Sequence, residues 1–179
     1  MTTIYLDMDG VVADWTEGVA QFIGYRLDDP TVKYPDVDWQ KIRSHMRMFR
    51  DLPKMPQADE MVTLARRFRD ELGYELIFLT AIPHYNDVHW AFWDKMLWAQ
   101  ERYPDIPVHF GPYSENKQKH CIPGDILVDD RPDNCEQWRA AGGIAVRVTK
   151  DYQAALDQLK RLFELVNDPI LGIRLTERT

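Results

Sequence analysis

Five short apolar, β-prone runs separated by helical patterns constrain this chain more than any other feature. The runs are Thr3-Ile4-Tyr5-Leu6, Glu75-Leu76-Ile77-Phe78-Leu79, Pro107-Val108-His109-Phe110, Ile126-Leu127-Val128 and Ile144-Ala145-Val146-Arg147-Val148. Each is short, bounded by turn-forming residues and rich in β-branched or aromatic side chains, which predicts a strand. Between them, Met61, Leu64, Ala65 and Phe68 recur at helical spacing over 57–72, just before Gly73, a residue suited to ending a helix. Val88, Phe92 and Leu97, with several tryptophans, predict a helix over 86–103 that stops before Pro104. A third helix is expected over 133–141, closed by Gly142-Gly143, and a fourth over 152–166 with Leu156, Leu159, Leu162 and Phe163 on one face. Alternating strands and helices give an α/β fold, a mostly parallel sheet sandwiched by helices whose functional end lies at the carboxyl ends of the strands.

One stretch interrupts the alternation. About forty residues after the first run carry no strand pattern, and structureless loops of that length are uncommon in compact domains unless functional. Two helical patterns, over 15–23 and 39–49, lie within it. We expect a small helical cap over 15–53, inserted after the first strand of a core formed by 1–14 and 54–179, with Pro53 and Pro56 marking the return. The polar stretch over 168–179 is expected to be loosely ordered.

Composition narrows the function classes. A length of 179 residues suits one sizeable core, and the formal net charge of −7 argues against a stable nucleic-acid partner, whose phosphates are bound through Lys and Arg. A small-molecule substrate fits better. Cys121 and Cys135 are too few for a disulfide framework and lack zinc-site spacing, so both are expected as reduced thiols. No apolar run approaches the roughly 18 residues of a spanning helix, and Asp7 and Asp9 fall where a signal peptide would be apolar. No membrane partner is therefore expected, and the expected location is the cytoplasm.

Acidic pairs end two of the strand runs. Asp7 and Asp9 bracket Met8 after the first run, with Gly10 allowing a sharp turn, and Asp129-Asp130 follow Ile126-Leu127-Val128. Neighbouring strands would converge three or four carboxylates, a costly arrangement unless a cation sits among them. Hard oxygen donors of this kind suit Mg²⁺, the expected cofactor.

These residues resemble the haloacid dehalogenase superfamily. Asp7-Met8-Asp9-Gly10-Val11-Val12-Ala13-Asp14 is similar to its first motif, Leu79-Thr80-Ala81 to its second, and Ile126-Leu127-Val128-Asp129-Asp130-Arg131-Pro132 to its acidic fourth. Lys119, ten residues before Asp129, matches the spacing of the third-motif lysine, with Lys117 close enough to compete. The resemblance implies a Rossmann-like core and a phosphatase. It makes Asp7 the nucleophile that forms an aspartyl-phosphate, and Asp9 the acid and base, which also binds metal through its backbone carbonyl. Thr80, Ala81 and Lys119 become phosphate-binding residues, with help from the backbone at Asp9 and Gly10. Asp7 and Asp130 become metal ligands and Asp129 a supporting one.

Within the superfamily the opening and the fourth motif resemble the 5′(3′)-deoxyribonucleotidases, which implies a nucleotide as substrate. The cap then supplies aromatic faces for a nucleobase, with Trp15, Phe22, Trp39 and Phe49 as candidates and His84 as a further substrate contact. After Thr80-Ala81 the chain continues Ile82-Pro83-His84 rather than the Ser-Pro-Ile-Lys-like run of that family, so contacts to the phosphate can differ. Two other functions stay open: a 3′-phosphatase acting on nucleic-acid ends, suggested by Asp129-Asp130-Arg131 followed by Trp138-Arg139, and a non-catalytic binding protein that keeps the fold. The expected helix over 86–103, with Trp90, Trp93 and Trp98, offers a surface for a homodimer.

Overall fold

The computed structural model describes residues 1–27, 29, 32–83 and 88–168. Along the chain these form β1 (Thr3–Leu6), α1 (Trp15–Ile23), α2 (Asp36–Ser44), α3 (Ala58–Leu72), β2 (Glu75–Thr80), α4 (Ala91–Arg102), β3 (Val108–Phe110), a 3-10 helix (Ser114–His120), β4 (Ile126–Asp129), α5 (Pro132–Ala140), β5 (Ile144–Arg147) and α6 (Tyr152–Asn167). The five strands form one parallel sheet in the order β3-β2-β1-β4-β5. The chain winds outward from β1 to β3, then crosses back to β4 on the other side of β1. That reversal places a crevice at the carboxyl end of β1, where ligands of such sheets bind.

Period-two alternation explains why β1 and β4 are buried throughout. Ile4 and Leu6 point into one core with Phe78, Val128 and Val146, where they meet Phe68, Leu159 and Phe163. Tyr5 and Leu127 point to the opposite face with Ile77, Leu79 and Ala145, against Cys135 and Trp138. Trp138 meets Tyr5 edge-on at 5.3 Å, and its indole N–H donates to the Asp125 carbonyl at 3.1 Å. Losing a fully buried tryptophan of this kind costs about 3–5 kcal/mol. On the first face, α3 buries Met61, Val62, Ala65 and Phe68 and ends at Gly73, whose φ of 72° only glycine adopts without strain.

The strands fall where the sequence places them, and two helical segments differ. The second helix of the insertion is Asp36–Ser44 rather than 39–49: Asp36 and Asp38 favour its first turn, and beyond Ser44 the chain turns, with the Met48 amide donating to His45 and that of Asp51 to Arg47. Met48 and Phe49 are still buried, but from turns. The polar segment Ser114–His120, without apolar periodicity, is a 3-10 helix that the sequence did not announce. The expected start of α4 at Asn86, and all of the expected loose tail beyond Asp168, lie outside the described residues. Among the described residues both cysteines are free, and no helix is long and apolar enough to cross a membrane.

Candidate active site

Register brings the acidic residues together. Leu6 pairs with Phe78 on one side and Val128 on the other, so the next residue, Asp7, stands level with Asp129. Its amide extends the ladder by donating to the Val128 carbonyl at 2.9 Å. The chain then folds into a tight loop in which the amides of Val11, Val12 and Ala13 all donate to the Met8 carbonyl, at 3.2, 2.9 and 2.8 Å. Gly10 sits at φ 78°, and a Cβ there would lie 2.5 Å from Oδ2 of Asp130. Any side chain at position 10 would displace that carboxylate.

Lys117 joins the two strand ends. Its ammonium lies 2.7 Å from Oδ1 of Asp7 and 2.7 Å from Oδ2 of Asp129, and the side chain is 2% exposed. Burial alone would pull its pKa down, but the charges and hydrogen bonds of Asp129 and Asp7 outweigh that and push it up, so the ammonium is fixed. Asp129 is also saturated by the Asn134 amide, at 2.9 and 3.0 Å from its two oxygens, and by the Arg131 N–H at 2.9 Å. Its carboxylate therefore anchors Lys117 and has little capacity left for another ligand.

A second buried cation faces the other acid. Lys95, 1% exposed, donates to Oδ2 of Asp9 at 2.5 Å and to Oγ1 of Thr80 at 3.0 Å. Its ammonium stands over the Phe49 ring at 5.1 Å, linking the site to the helical insertion. There Phe49 stacks on Trp15 with centroids 5.1 Å apart, and Trp15 also meets Trp39 and Tyr34, at 5.9 and 6.2 Å. The other Asp9 oxygen, Oδ1, is buried and has no hydrogen-bond partner among the described residues.

The charges do not balance without a cation. Four carboxylates, of Asp7, Asp9, Asp129 and Asp130, face the two ammonium groups of Lys95 and Lys117. Oxygens of Asp7, Asp129 and Asp130 lie within 4.8 Å of one another. Burial, with Asp129 and Asp9 adding to it against the pull of Lys117, pushes Asp7 up to about 6. Burial and the charges of Asp129 and Asp7 push Asp130 well above the usual carboxylate range. The excess of two negative charges and the all-oxygen donors fit one hard divalent cation, with Asp7 and Asp130 the carboxylates free to hold it.

Two of the expected assignments are corrected by this geometry. Lys119 is exposed and donates to Asn116 Oδ1 at 2.5 Å, whereas Lys117 occupies the site. With about three residues per 3-10 turn, Ser114, Lys117 and His120 share the inward face of the helix and Lys119 faces out. The Gly10 amide is not free for phosphate, because it donates to the Ala13 carbonyl at 2.8 Å. Asp9 directs its side chain to Lys95, apart from the cluster of Asp7, Asp129 and Asp130. Thr80 is fully buried beside Lys95, and Ala81 follows it, half-buried, at the end of β2. Phe49 borders the site beneath Lys95 but is 1% exposed, packed against Trp15 rather than open to a base; Trp15 is half-buried beside it, and Phe22 stands apart, 40% exposed with its ring on His45. His84 lies outside the described residues.

Lys95 was not anticipated. Its signal was a lysine within the stripe Ala91, Lys95, Trp98 and Ala99, the buried face of α4 at spacing i, i+4, i+7 and i+8.

A family profile described as 5′ nucleotidase, deoxy (pyrimidine), cytosolic type C protein matches residues 1–164. No curated protein sequence matches significantly. Among solved structures, a dehalogenase superposes with a TM-score of 0.54 at 12% identity, covering 90% of this chain and 96% of its own, which establishes a common fold. A haloacid dehalogenase-type hydrolase of family IA, variant 3, from Entamoeba histolytica is also similar, at TM-score 0.44 and 9% identity over 89% of this chain and 100% of its own. With a sheet and a carboxylate cluster of the kind described and a family match over nearly its whole length, the chain belongs to the cytosolic type C 5′-nucleotidase family of haloacid dehalogenase-like hydrolases.

Proposed function

We propose that the protein is a Mg²⁺-dependent 5′(3′)-deoxyribonucleotidase that releases phosphate from deoxynucleoside monophosphates through an aspartyl-phosphate on Asp7. The observation that carries this is the presentation of Asp7: the Met8 amide and Lys117 both donate to its Oδ1 at 2.7 Å, which leaves Oδ2 for attack. In the first half-reaction Oδ2 forms a bond to phosphorus as the ester P–O bond breaks, and Asp9, which enters this step in its protonated form, gives that proton to the departing alkoxide. In the second, Asp9 takes a proton from water, whose oxygen attacks phosphorus and frees Asp7. Lys117, Lys95, Thr80 and the backbone at Ala81 hold the phosphoryl oxygens and offset their charge. Mg²⁺, held by Asp7, Asp130 and the Asp9 carbonyl, would supply further charge neutralisation when bound.

The insertion over 15–53 acts as the cap, with half-buried Trp15 as the face offered to the nucleobase and buried Phe49 stacked against it as its support. A cytoplasmic location fits the family description. Trp93, 68% exposed on α4 beside partly exposed Phe92 and Met96, is the surface for a homodimer, whereas Trp98 is buried. Light scattering that returns a monomer mass across a concentration series would sink the dimer.

The function is tested by phosphate release from deoxy- and ribonucleoside 5′- and 3′-monophosphates and a 3′-phosphorylated oligonucleotide, with Mg²⁺ and with EDTA. Metal-dependent release favouring deoxynucleotides is expected. Preference for the oligonucleotide would point instead to end processing, and silence on every substrate would contradict the proposal.

A further inference from the structure

The structure assigns Asn134 and Ser114 a positioning role: together they set the place of the Lys117 ammonium at the nucleophile. Asn134 lies in the first turn of α5 and is buried. Its side-chain N–H₂ donates to both oxygens of Asp129, at 2.9 and 3.0 Å, and its carbonyl oxygen accepts from the Ser114 hydroxyl at 2.8 Å. Asp129 then accepts from Lys117, which reaches Asp7. One chain of hydrogen bonds therefore runs Ser114, Asn134, Asp129, Lys117, Asp7.

Two features make this more than a satisfied buried amide. Ser114 and Lys117 are three residues apart on a 3-10 helix, so they share a face, and the Ser114–Asn134 bond fastens to α5 the same short segment that carries Lys117. Asn134 also orients the Asp129 carboxylate. A flexible lysine stem has many rotamers and no preferred direction of its own, so its place depends on the acceptors it meets. Here one acceptor, Asp129, is itself held on both oxygens, and the anchor of the lysine segment is the same Asn134. Partners that orient metal ligands typically cost 10–100-fold in affinity or activity when removed, and a loss of that order is expected here although Asn134 never touches the substrate.

The consequence for phosphate contacts rests on the proposed phosphatase function, but the placement of Lys117 can be read without it. Amine acylation followed by peptide mass spectrometry should label Lys117 about fivefold faster in Asn134→Leu than in the wild type. Lys95, the other buried lysine of the site, should stay protected, and exposed Lys119 should be unchanged. Ser114→Ala, at a partly exposed position, should show the same pattern about twofold and serves if Asn134→Leu fails to fold by circular dichroism. Calorimetry with inorganic phosphate in the presence of Mg²⁺ gives the second readout. Binding should weaken about tenfold in Asn134→Leu, yet less than twofold further when the change is made in Lys117→Met, because residues acting through one group are not additive. Lys117 protected in both variants, Lys95 exposed together with it, or equal losses of phosphate binding in the two backgrounds would overturn the inference. A wild type that binds no phosphate would contradict the phosphatase proposal instead, and the labelling result would still decide the role of Asn134 and Ser114.

Discussion

The head of the sheet and the helical insertion hold their side chains by different means. Asp7 and Asp129 are set by ladder bonds across β1 and β4, and Lys117 is clamped between them at 2.7 Å from each. Trp15, Trp39 and Phe49 are held mainly by ring contacts between turns and short helices. The insertion is fastened to α4 at a few points: the Trp98 indole donates to the Leu52 carbonyl at 2.8 Å, Arg50 pairs with Glu101, and Lys95 meets the Phe49 ring. The first region is built for fixed charges, the second for adaptable apolar contact. Substitutions at the sheet should therefore strip turnover, and those in the insertion should shift substrate affinity.

The largest expected effect is that of Asp7→Asn, which should lower phosphate release about a thousandfold or more, since it removes the proposed nucleophile. Residual turnover within tenfold of wild type would break the division between the regions. Next, Lys117→Met should cost about a hundredfold or more in kcat, the usual penalty for removing a fixed electrostatic donor. Lys119→Met should stay within about twofold, an exposed lysine far from the reacting atoms. Comparable losses from both lysines would return the assignment to sequence spacing. In the insertion, Trp15→Ala should raise KM for nucleotides about tenfold with kcat changed less than threefold, in keeping with roughly 1–3 kcal/mol per base–aromatic stack. Phe22→Ala, outside that cluster, should alter neither. A kcat collapse in Trp15→Ala would show that the insertion also orders the chemistry.

The smallest effect is a pH dependence. Burial raises Asp7 from its ordinary 3.8 to about 6 in the folded protein. A raised carboxyl contributes stability that is present below the ordinary value and lost as pH rises through about 6. The metal-free protein should lose that contribution between pH 4 and 7, and Mg²⁺, which needs the ionised carboxylate, should raise the melting temperature by several degrees at pH 7 and hardly at all at pH 5. A Mg²⁺ shift of equal size at both values would separate metal binding from Asp7.

Strands buried on both faces leave continuous apolar runs, which is why the sheet and the acids at its carboxyl ends were legible in the sequence. Asp7, Asp129 and Asp130 meet because register places them, and register follows from those runs. The lysines were harder to place. Counting back from Asp129 selects Lys119, but the 3-10 helix turns Lys117 inward, and its sequence Ser-Glu-Asn-Lys-Gln-Lys-His has no apolar stripe to announce the turn. Lys95 was hidden by the opposite habit, since a lysine on an amphipathic helix is usually read as solvent-facing. Only its place between Ala91 and Trp98 marks it as buried. The second helix of the insertion was displaced because Met48 and Phe49 are apolar without being helical, their burial coming from turns.

Every step of the proposed mechanism depends on Asp7 carrying the phosphoryl group. Quenching the enzyme with acid during turnover of a deoxynucleoside monophosphate, then mapping peptides by mass spectrometry, tests it most directly. One phosphoryl group is expected on the peptide containing Asp7, absent from Asp7→Asn and from samples without substrate. Steady release of phosphate with that peptide unmodified throughout, or with the modification on another residue, would contradict it.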